Sequence, residues 1–252
     1  MTANESSNPN SRSSLSTGRV LLIIGLVTAV LYIISLWTNS PTLGLITKGL
    51  PVLMMIIWLL LLPRDRYANL IMIGLIFALV GDLLLQISDT LFIEGLLAFL
   101  VAHLMYIAAF VGLARQGRWV RLVPFAAWGL VAFALLNPYL GSLALPVAAY
   151  IAVIVVMMWR AAAMVGMPAA RGKSQTFEWA ALLGAIAFGL SDTLLAFNKF
   201  VWSGTLVFLN ITQPTPFVDT LSITLYWLGQ FGIMLSASWE ATDRARGAVA
   251  SS

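Results

Sequence analysis

Five ionisable residues fall within or beside long apolar runs of the sequence: Lys48, Asp82, Glu94, His103 and Asp192. An ionisable side chain inside a membrane span costs about 2.5–3.5 kcal/mol on insertion scales, and such residues usually mark function. Two buried carboxyls suit one chemistry best. One stays neutral and acts as a general acid, while the other is ionised and stabilises a cation or activates water. A lysine beside them supplies countercharge to the ionised carboxylate or holds a lipid phosphate. A Ser–His–Asp triad through Ser191 is conceivable. However, Gly189-Leu190-Ser191-Asp192-Thr193 lacks the second glycine of a nucleophile elbow, and no strand is expected to carry it. A metal held by Asp82, His103 and Asp192 is too generic a set to claim, so no metal and no cofactor is expected.

Each residue also has a structural reading. Asp82 and Asp192 could be interhelical hydrogen-bond glue, although Ser, Thr or Asn makes such glue more cheaply. Lys48 could snorkel to an interface. His103 could be a core histidine satisfied by an aspartate. Tyr106, one turn along the same face as His103, could be packing. Glu94 reads as interfacial, and the nine tryptophans as packing and interfacial belts.

The elements that must position these residues follow from composition. Of 252 residues, 60% are hydrophobic and 10% charged, whereas soluble domains carry about 25% charged residues. The absence of cysteine excludes disulfides, zinc fingers, iron–sulfur sites and thiol nucleophiles; a single histidine excludes any site needing two imidazoles. The fold class implied is all-α, a polytopic membrane bundle of about eight helices. The expected spans are 20–37, 43–62, 68–87, 91–113, 122–136, 143–164, 178–197 and 221–238. The fifth ends at the turn signal Asn137-Pro138. Residues 1–19 read as a disordered polar tail, 20–240 as one transmembrane domain and 241–252 as a short cytoplasmic tail. Residues 201–217 read as a re-entrant or interfacial loop. The first run lacks a small-x-small cleavage site, so it reads as an uncleaved span.

Charge fixes the orientation. Twelve of the fourteen basic residues fall in alternate connections or tails, or in the last turns of a span beside them: Arg12 and Arg19; Arg64 and Arg66; Arg115, Arg118 and Arg121; Arg160, Arg171 and Lys173; Arg244 and Arg246. The opposite connections hold only Lys199. The positive-inside rule assigns the rich side, and both termini, to the cytoplasm. Basic residues scattered this way give no basic face, so no nucleic-acid partner is expected. A rise of about 1.5 Å per residue puts Lys48, Asp82, His103 and Asp192 in one layer, from the outer half down to the midplane. Four helices would thus line one polar cavity. A weak echo links Gly74-x-x-Phe77 and Gly81-Asp82-x-Leu84-Leu85 to Gly184-x-x-x-Phe188 and Ser191-Asp192-x-Leu194-Leu195. It fits either a duplication of four-helix halves or chance among Leu-rich helices.

In order along the chain stand Lys48-x-x-Pro51, Gly81-Asp82-x-x-Leu85 and Glu94-Gly95-Leu96-x-x-Phe99-x-x-Ala102-His103-x-x-Tyr106. Gly184-Ala185-x-x-Phe188-x-x-Ser191-Asp192-x-x-Leu195-Ala196 and Tyr226-x-x-Gly229-Gln230 follow. This set resembles the YhhN family of lysoplasmalogenase-like membrane proteins over nearly the whole chain after residue 20. One departure is Gly229-Gln230, where Ala-Gln is expected. The resemblance implies hydrolysis of the vinyl ether bond of lysoplasmalogens to a fatty aldehyde and glycerophosphoethanolamine or glycerophosphocholine. It implies catalytic roles for Asp82, Asp192 and His103, and substrate-binding roles for Lys48, Tyr106, Gln230 and Glu94. The partners it implies are a lysophospholipid substrate and membrane lipid; the location expected is the bacterial plasma (inner) membrane. The residues alone leave open a proton-coupled carrier or a lipid-binding protein using the same cavity.

Overall fold

The computed structural model describes residues 9–166, 176–202 and 216–250, and among these there is no strand. Among the described residues nine α-helices follow in order: α1 (Pro9–Trp37), α2 (Pro41–Thr47), α3 (Leu50–Leu60), α4 (Arg66–Ile87), α5 (Phe92–Leu113), α6 (Leu122–Leu140), α7 (Ala144–Met164), α8 (Thr176–Phe197) and α9 (Phe217–Ala250). Where polar tails are expected from sequence, α1 already starts at Pro9 and α9 runs on to Ala250. Most of the loop expected at 201–217 lies outside the described residues.

Six stretches among the described residues are long and apolar enough to cross a membrane: Thr17–Trp37, Pro41–Leu60, Arg66–Ile87, Phe92–Leu113, Trp119–Met164 and Thr176–Trp202. The 46-residue stretch holds two helices, α6 and α7. They reverse at Gly141, whose φ of +52° suits a residue without a Cβ. The chain is thus a multi-pass helical membrane protein. Helix α9 is not among these stretches. Asp219, Ser222, Thr224, Gln230 and Ser236 lower its hydropathy, and it packs against α1, α3, α4 and α8 rather than at the periphery.

Two local outcomes differ from the sequence reading. The fifth span does not stop at Asn137-Pro138, because α6 continues to Leu140 with Pro138 inside it. The proline sits in the last turn, where losing one backbone hydrogen bond is tolerated. The second span is broken: α2 ends at Thr47 and α3 begins at Leu50, leaving Lys48-Gly49 between them. Pro51 explains the break. It has no N–H to give to Thr47, four residues back, and its ring crowds that carbonyl.

Close backbone approach sets the pairing of the helices. A Cβ on Gly184 would meet Gly229 O and Ile233 N at 2.7 Å, and one on Gly232 would meet Ala180 O at 2.9 Å. Helices α8 and α9 therefore pack backbone to backbone, the small-residue mode common in membranes. Helices α4 and α5 pair through aromatic rings seated on glycine: Tyr106 lies over Gly74 and Phe99 over Gly81. The main core fills the space between these pairs with Phe99, Tyr106, Phe110, Phe188, Tyr226, Ile233 and Met234. At the ends away from the site, arginines cap helix C-termini. Arg160 donates to Ala114 O, and Arg121 to Ala162 O and Val165 O, where orphan carbonyls and the helix dipole favour a cation.

Candidate functional site

The two aspartates occupy equivalent registers. Asp82 lies in the 22-residue α4 and Asp192 in the 22-residue α8, each followed by five more helical residues. Both are withdrawn from the surface: Asp82 is 2% exposed, and the side chain of Asp192 is 11% exposed. Each accepts a tyrosine hydroxyl at 2.7 Å. Tyr226 of α9 donates to Asp82 Oδ2, and Tyr150 of α7 donates to Asp192 Oδ2. A hydrogen bond to a carboxylate contributes about 1.5–3 kcal/mol, so these tyrosines also fix carboxyl orientation. The two carboxyls are within electrostatic reach of each other.

Lys48 sits at the break between α2 and α3, 9% exposed, and interacts electrostatically with Asp82 and Asp219. Together with Asp82, Asp192, Asp219, Ser191 and Ser222 it lines a polar cavity of about 120 Å³. A second cavity, of about 50 Å³, lies among α4, α5, α6, α7 and α8. Its walls include Trp128, Ala132, Leu136, Val147 and Ile154. Leu85, Phe99, Leu195 and Asp192 belong to both cavities, and Asp192 is the only ionisable residue they share.

The other sequence-selected residues stand around this centre in different ways. His103 is fully buried and lines neither cavity. Its Nε2 lies 3.7 Å from Asp192 Oδ2, beyond hydrogen-bond distance. The ring packs edge-on against Phe188 at 4.5 Å and Tyr150 at 5.4 Å. Both ring nitrogens lack a hydrogen-bond partner among the described residues. Tyr106 donates to Gln230 Oε1 at 2.6 Å; both are fully buried and line neither cavity. Tyr106 is nonetheless within electrostatic range of Asp82. Glu94 is exposed at the start of α5 and is not brought to the cluster.

Ser191 donates to Ser222 O at 2.8 Å, and Ser222 donates back to Ser191 O at 3.0 Å. That reciprocal clasp joins α8 to α9 and occupies the hydroxyl a nucleophile would need. Among the described residues, no three His, Asp or Glu side chains converge as metal ligands would. The sequence reading did not single out Tyr150 or Asp219. Tyr150 carries no local signal, being one aromatic in an apolar run. Asp219 lies just before the span drawn from Leu221 and so counts as loop when read by hydropathy. Tyr226 stands in the quoted motif, but only the fold turns its hydroxyl to Asp82.

The profile of the YhhN family matches residues 43–237. The chain is similar to the lysoplasmalogenase TMEM86A of Homo sapiens, with 34% identity over 232 residues, covering 88% of this chain and 90% of that protein. It is similar to the human lysoplasmalogenase TMEM86B at 32% over 194 residues, 76% of this chain and 74% of that one. A lysoplasmalogenase of Mycobacterium tuberculosis (strain CDC 1551 / Oshkosh) is 32% identical over 150 residues, 55% of this chain and 53% of that protein. No solved structure matches the chain. With the profile covering all five motifs and the human relative aligned over most of both chains, this chain belongs to the YhhN family.

Proposed function

We propose that this protein is a membrane-embedded hydrolase that cleaves the vinyl ether bond of lysoplasmalogens. One observation carries the reading: Asp192 lines both a polar cavity that holds Lys48 and Asp82 and a separate apolar cavity. A lysoplasmalogen has the same division, with a charged headgroup and glycerol on one side of the vinyl ether and an alkenyl chain on the other. With the headgroup beside Lys48 and the start of the chain against Leu136 and Val147, the labile bond falls at Asp192. The apolar cavity is too narrow for a whole chain, so its helices part as the chain binds. The names of the human relatives support the same reaction class.

The chemistry follows from the bond. Asp192 delivers its proton to the alkenyl carbon β to the ether oxygen, and the C=C electron pair forms the new C–H bond. The positive charge moves to the carbon bearing the ether oxygen as an oxocarbenium ion. Asp82, with Lys48 as countercharge, is the ionised carboxylate that stabilises this cation electrostatically, as carboxylates do in glycosidases. Water adds to the cationic carbon and its proton returns to Asp192. Collapse of the hemiacetal breaks its C–O bond to glycerol; the hemiacetal OH gives up its proton, the glycerol oxygen takes one up, and the products are the aldehyde and the glycerol hydroxyl. Tyr150 and Tyr226 hold the two carboxyls; His103 braces Asp192 from behind, and the Tyr106–Gln230 pair backs the Asp82 side. Glu94 has no part. The bilayer orientation that goes with this has eight crossings and cytoplasmic termini, in a bacterial inner membrane.

The test is aldehyde release by the purified protein from lysoplasmenylethanolamine, with the saturated alkyl-ether lysolipid as control. Aldehyde from the vinyl ether alone, abolished in both Asp82→Asn and Asp192→Asn, is the expected result. Normal turnover in both variants overturns the assignment. A carrier is the second reading, favoured by the break at Lys48-Gly49, since broken helices are a transporter feature. Lysolipid binding without aldehyde, together with lysolipid flux across vesicles, would support it.

A further inference from the structure

The proposed reaction uses Asp82 and Asp192 and leaves a third acid in the polar cavity without a role. Asp219 lies in the first turn of α9 and lines the same cavity as Lys48. Asn198, in the π-helical turn Asn198–Trp202 that ends α8, donates through Nδ2 to Asp219 Oδ1 at 2.8 Å. No donor meets Oδ2 among the described residues, and no basic nitrogen lies within 4.0 Å of either oxygen. A half-buried carboxylate that lines a cavity and is held through one oxygen keeps the other oxygen to accept from a ligand. Nearby, Trp37 Nε1 donates to Thr220 Oγ1 at 3.1 Å, tying the end of α1 to this turn. Tyr32 of α1 lines the cavity too and is within electrostatic range of Asp219.

Charge decides what the ligand group is. The cavity holds one lysine against three carboxyls. With one carboxyl neutral as the acid, the remaining charge is still negative. A headgroup that is only anionic adds to that imbalance, whereas a zwitterion adds no net charge and offers a cation to whichever acid the chemistry leaves free. Lys48 and Asp219 are a separated pair of opposite sign, at the α2–α3 break and the α9 start of one cavity. That is the complement of a phosphate joined through a short linker to an ammonium. Lys48 serves the phosphate as a compact point charge, and the Asp219 carboxylate gives the ammonium a charge-assisted hydrogen bond, or simple attraction if the ammonium is quaternary.

We propose that Asp219 binds the ammonium of a zwitterionic lysophospholipid headgroup and sets preference for phosphoethanolamine and phosphocholine over headgroups that carry phosphate alone. This rests on the lysolipid reading of the site, but not on bond cleavage. Asp219→Asn removes the charge and keeps an acceptor for Asn198, so the turn is retained.

The experiment measures binding of non-cleavable alkyl-ether lysolipids to the detergent-solubilised full-length protein. The headgroups are phosphoethanolamine and phosphoglycerol. Wild type is expected to prefer phosphoethanolamine. In Asp219→Asn that affinity should fall about tenfold, the loss of one charged hydrogen bond, while phosphoglycerol affinity stays within about twofold. Asp219→Glu should keep the preference, and Lys48→Gln should weaken both ligands. Equal losses for the two headgroups in Asp219→Asn, or no loss for either, overturn the proposal; a purely structural role would give the first. If wild type releases no aldehyde from the vinyl ether yet shows the Asp219-dependent preference, the hydrolase reading fails and this one stands. If aldehyde is released and the preference is absent, the reverse holds.

Discussion

At the scale of single residues, the site is a pair of acids that each lean on a tyrosine. Asp82 takes the hydroxyl of Tyr226 and Asp192 that of Tyr150. General acid catalysis typically contributes 10²–10⁴-fold, so Asp192→Asn is expected to lower kcat by at least about a hundredfold. Steady-state aldehyde release checks this, with a melting curve to show that the protein remains folded. Removing a hydroxyl that only orients a carboxyl should do less. Tyr150→Phe is expected to lower kcat about tenfold with KM nearly unchanged, the equivalent of roughly 1.4 kcal/mol. A loss as large as that of Asp192→Asn would make Tyr150 a proton donor rather than a positioning residue. Asp82, Asp192, His103 and Lys48 are legible in the sequence because charge in an apolar run is conspicuous. Tyr150 is not legible, because a tyrosine is an ordinary member of a membrane helix.

At the scale of elements, the break between α2 and α3 and the contact of α8 with α9 do most to shape the site. Pro51 keeps Lys48 off a continuous helix. Pro51→Ala restores the missing donor and lets α2 and α3 join, rotating Lys48 away from Asp82 and Asp219. The expected outcome is weaker lysolipid binding with the protein still folded, since the regained backbone hydrogen bond is offset by the freer unfolded chain, read by binding and melting in the same preparation. Gly184 has the opposite character. A Cβ there meets backbone atoms of α9 at 2.7 Å, and backbone cannot swing aside as a side chain can. Gly184→Val is expected to destabilise by roughly 1–3 kcal/mol or more and to separate Asp192 from the α9 side of the cavity. Loss of melting temperature and turnover together checks this. The echo between Gly81-Asp82 and Ser191-Asp192 has a counterpart here: both aspartates sit on a helix paired through glycine to the next one. The partners are crossed, with Asp82 bonded from α9 and Asp192 faced by His103 of α5.

At the scale of the whole molecule, orientation in the bilayer sets the side from which lipid arrives. The alternation of basic connections predicts that the turns after α4 and α6 face outward and that the connection after α5 faces the cytoplasm. The cysteine-free chain makes this simple to test. Single cysteines at Thr90→Cys and Ser142→Cys should react with an impermeant maleimide added to intact cells. Gln116→Cys should react only after permeabilisation. All three positions are exposed, so failure to label reports sidedness rather than burial, and a reversed or mixed pattern would remove the proposed topology. The polar cavity would then open at the other leaflet.

The sequence by itself determined the class of protein and which ionisable residues lie within its apolar segments. Apolar runs of this length have no other folded solution in lipid than helices, because backbone groups there must find partners within the segment. Charges within those runs must meet in the interior, because lipid cannot solvate them. Those constraints are local or one-dimensional, so they can be read from composition, spacing and the side on which arginine falls. What the tertiary structure decided is which groups meet. That α9 packs among other helices, although it is less apolar than the six qualifying stretches, depends on glycines that become an interface only when α8 is beside it. That Asp192 lines both cavities and His103 neither depends on helix rotations fixed by packing. That Asp219 belongs to the site depends on where α9 begins relative to Lys48, 171 positions earlier in the chain. Hydropathy reports how a segment partitions into lipid; it carries no information about the neighbour a side chain faces, and contacts between distant segments are set only when the helices close on one another.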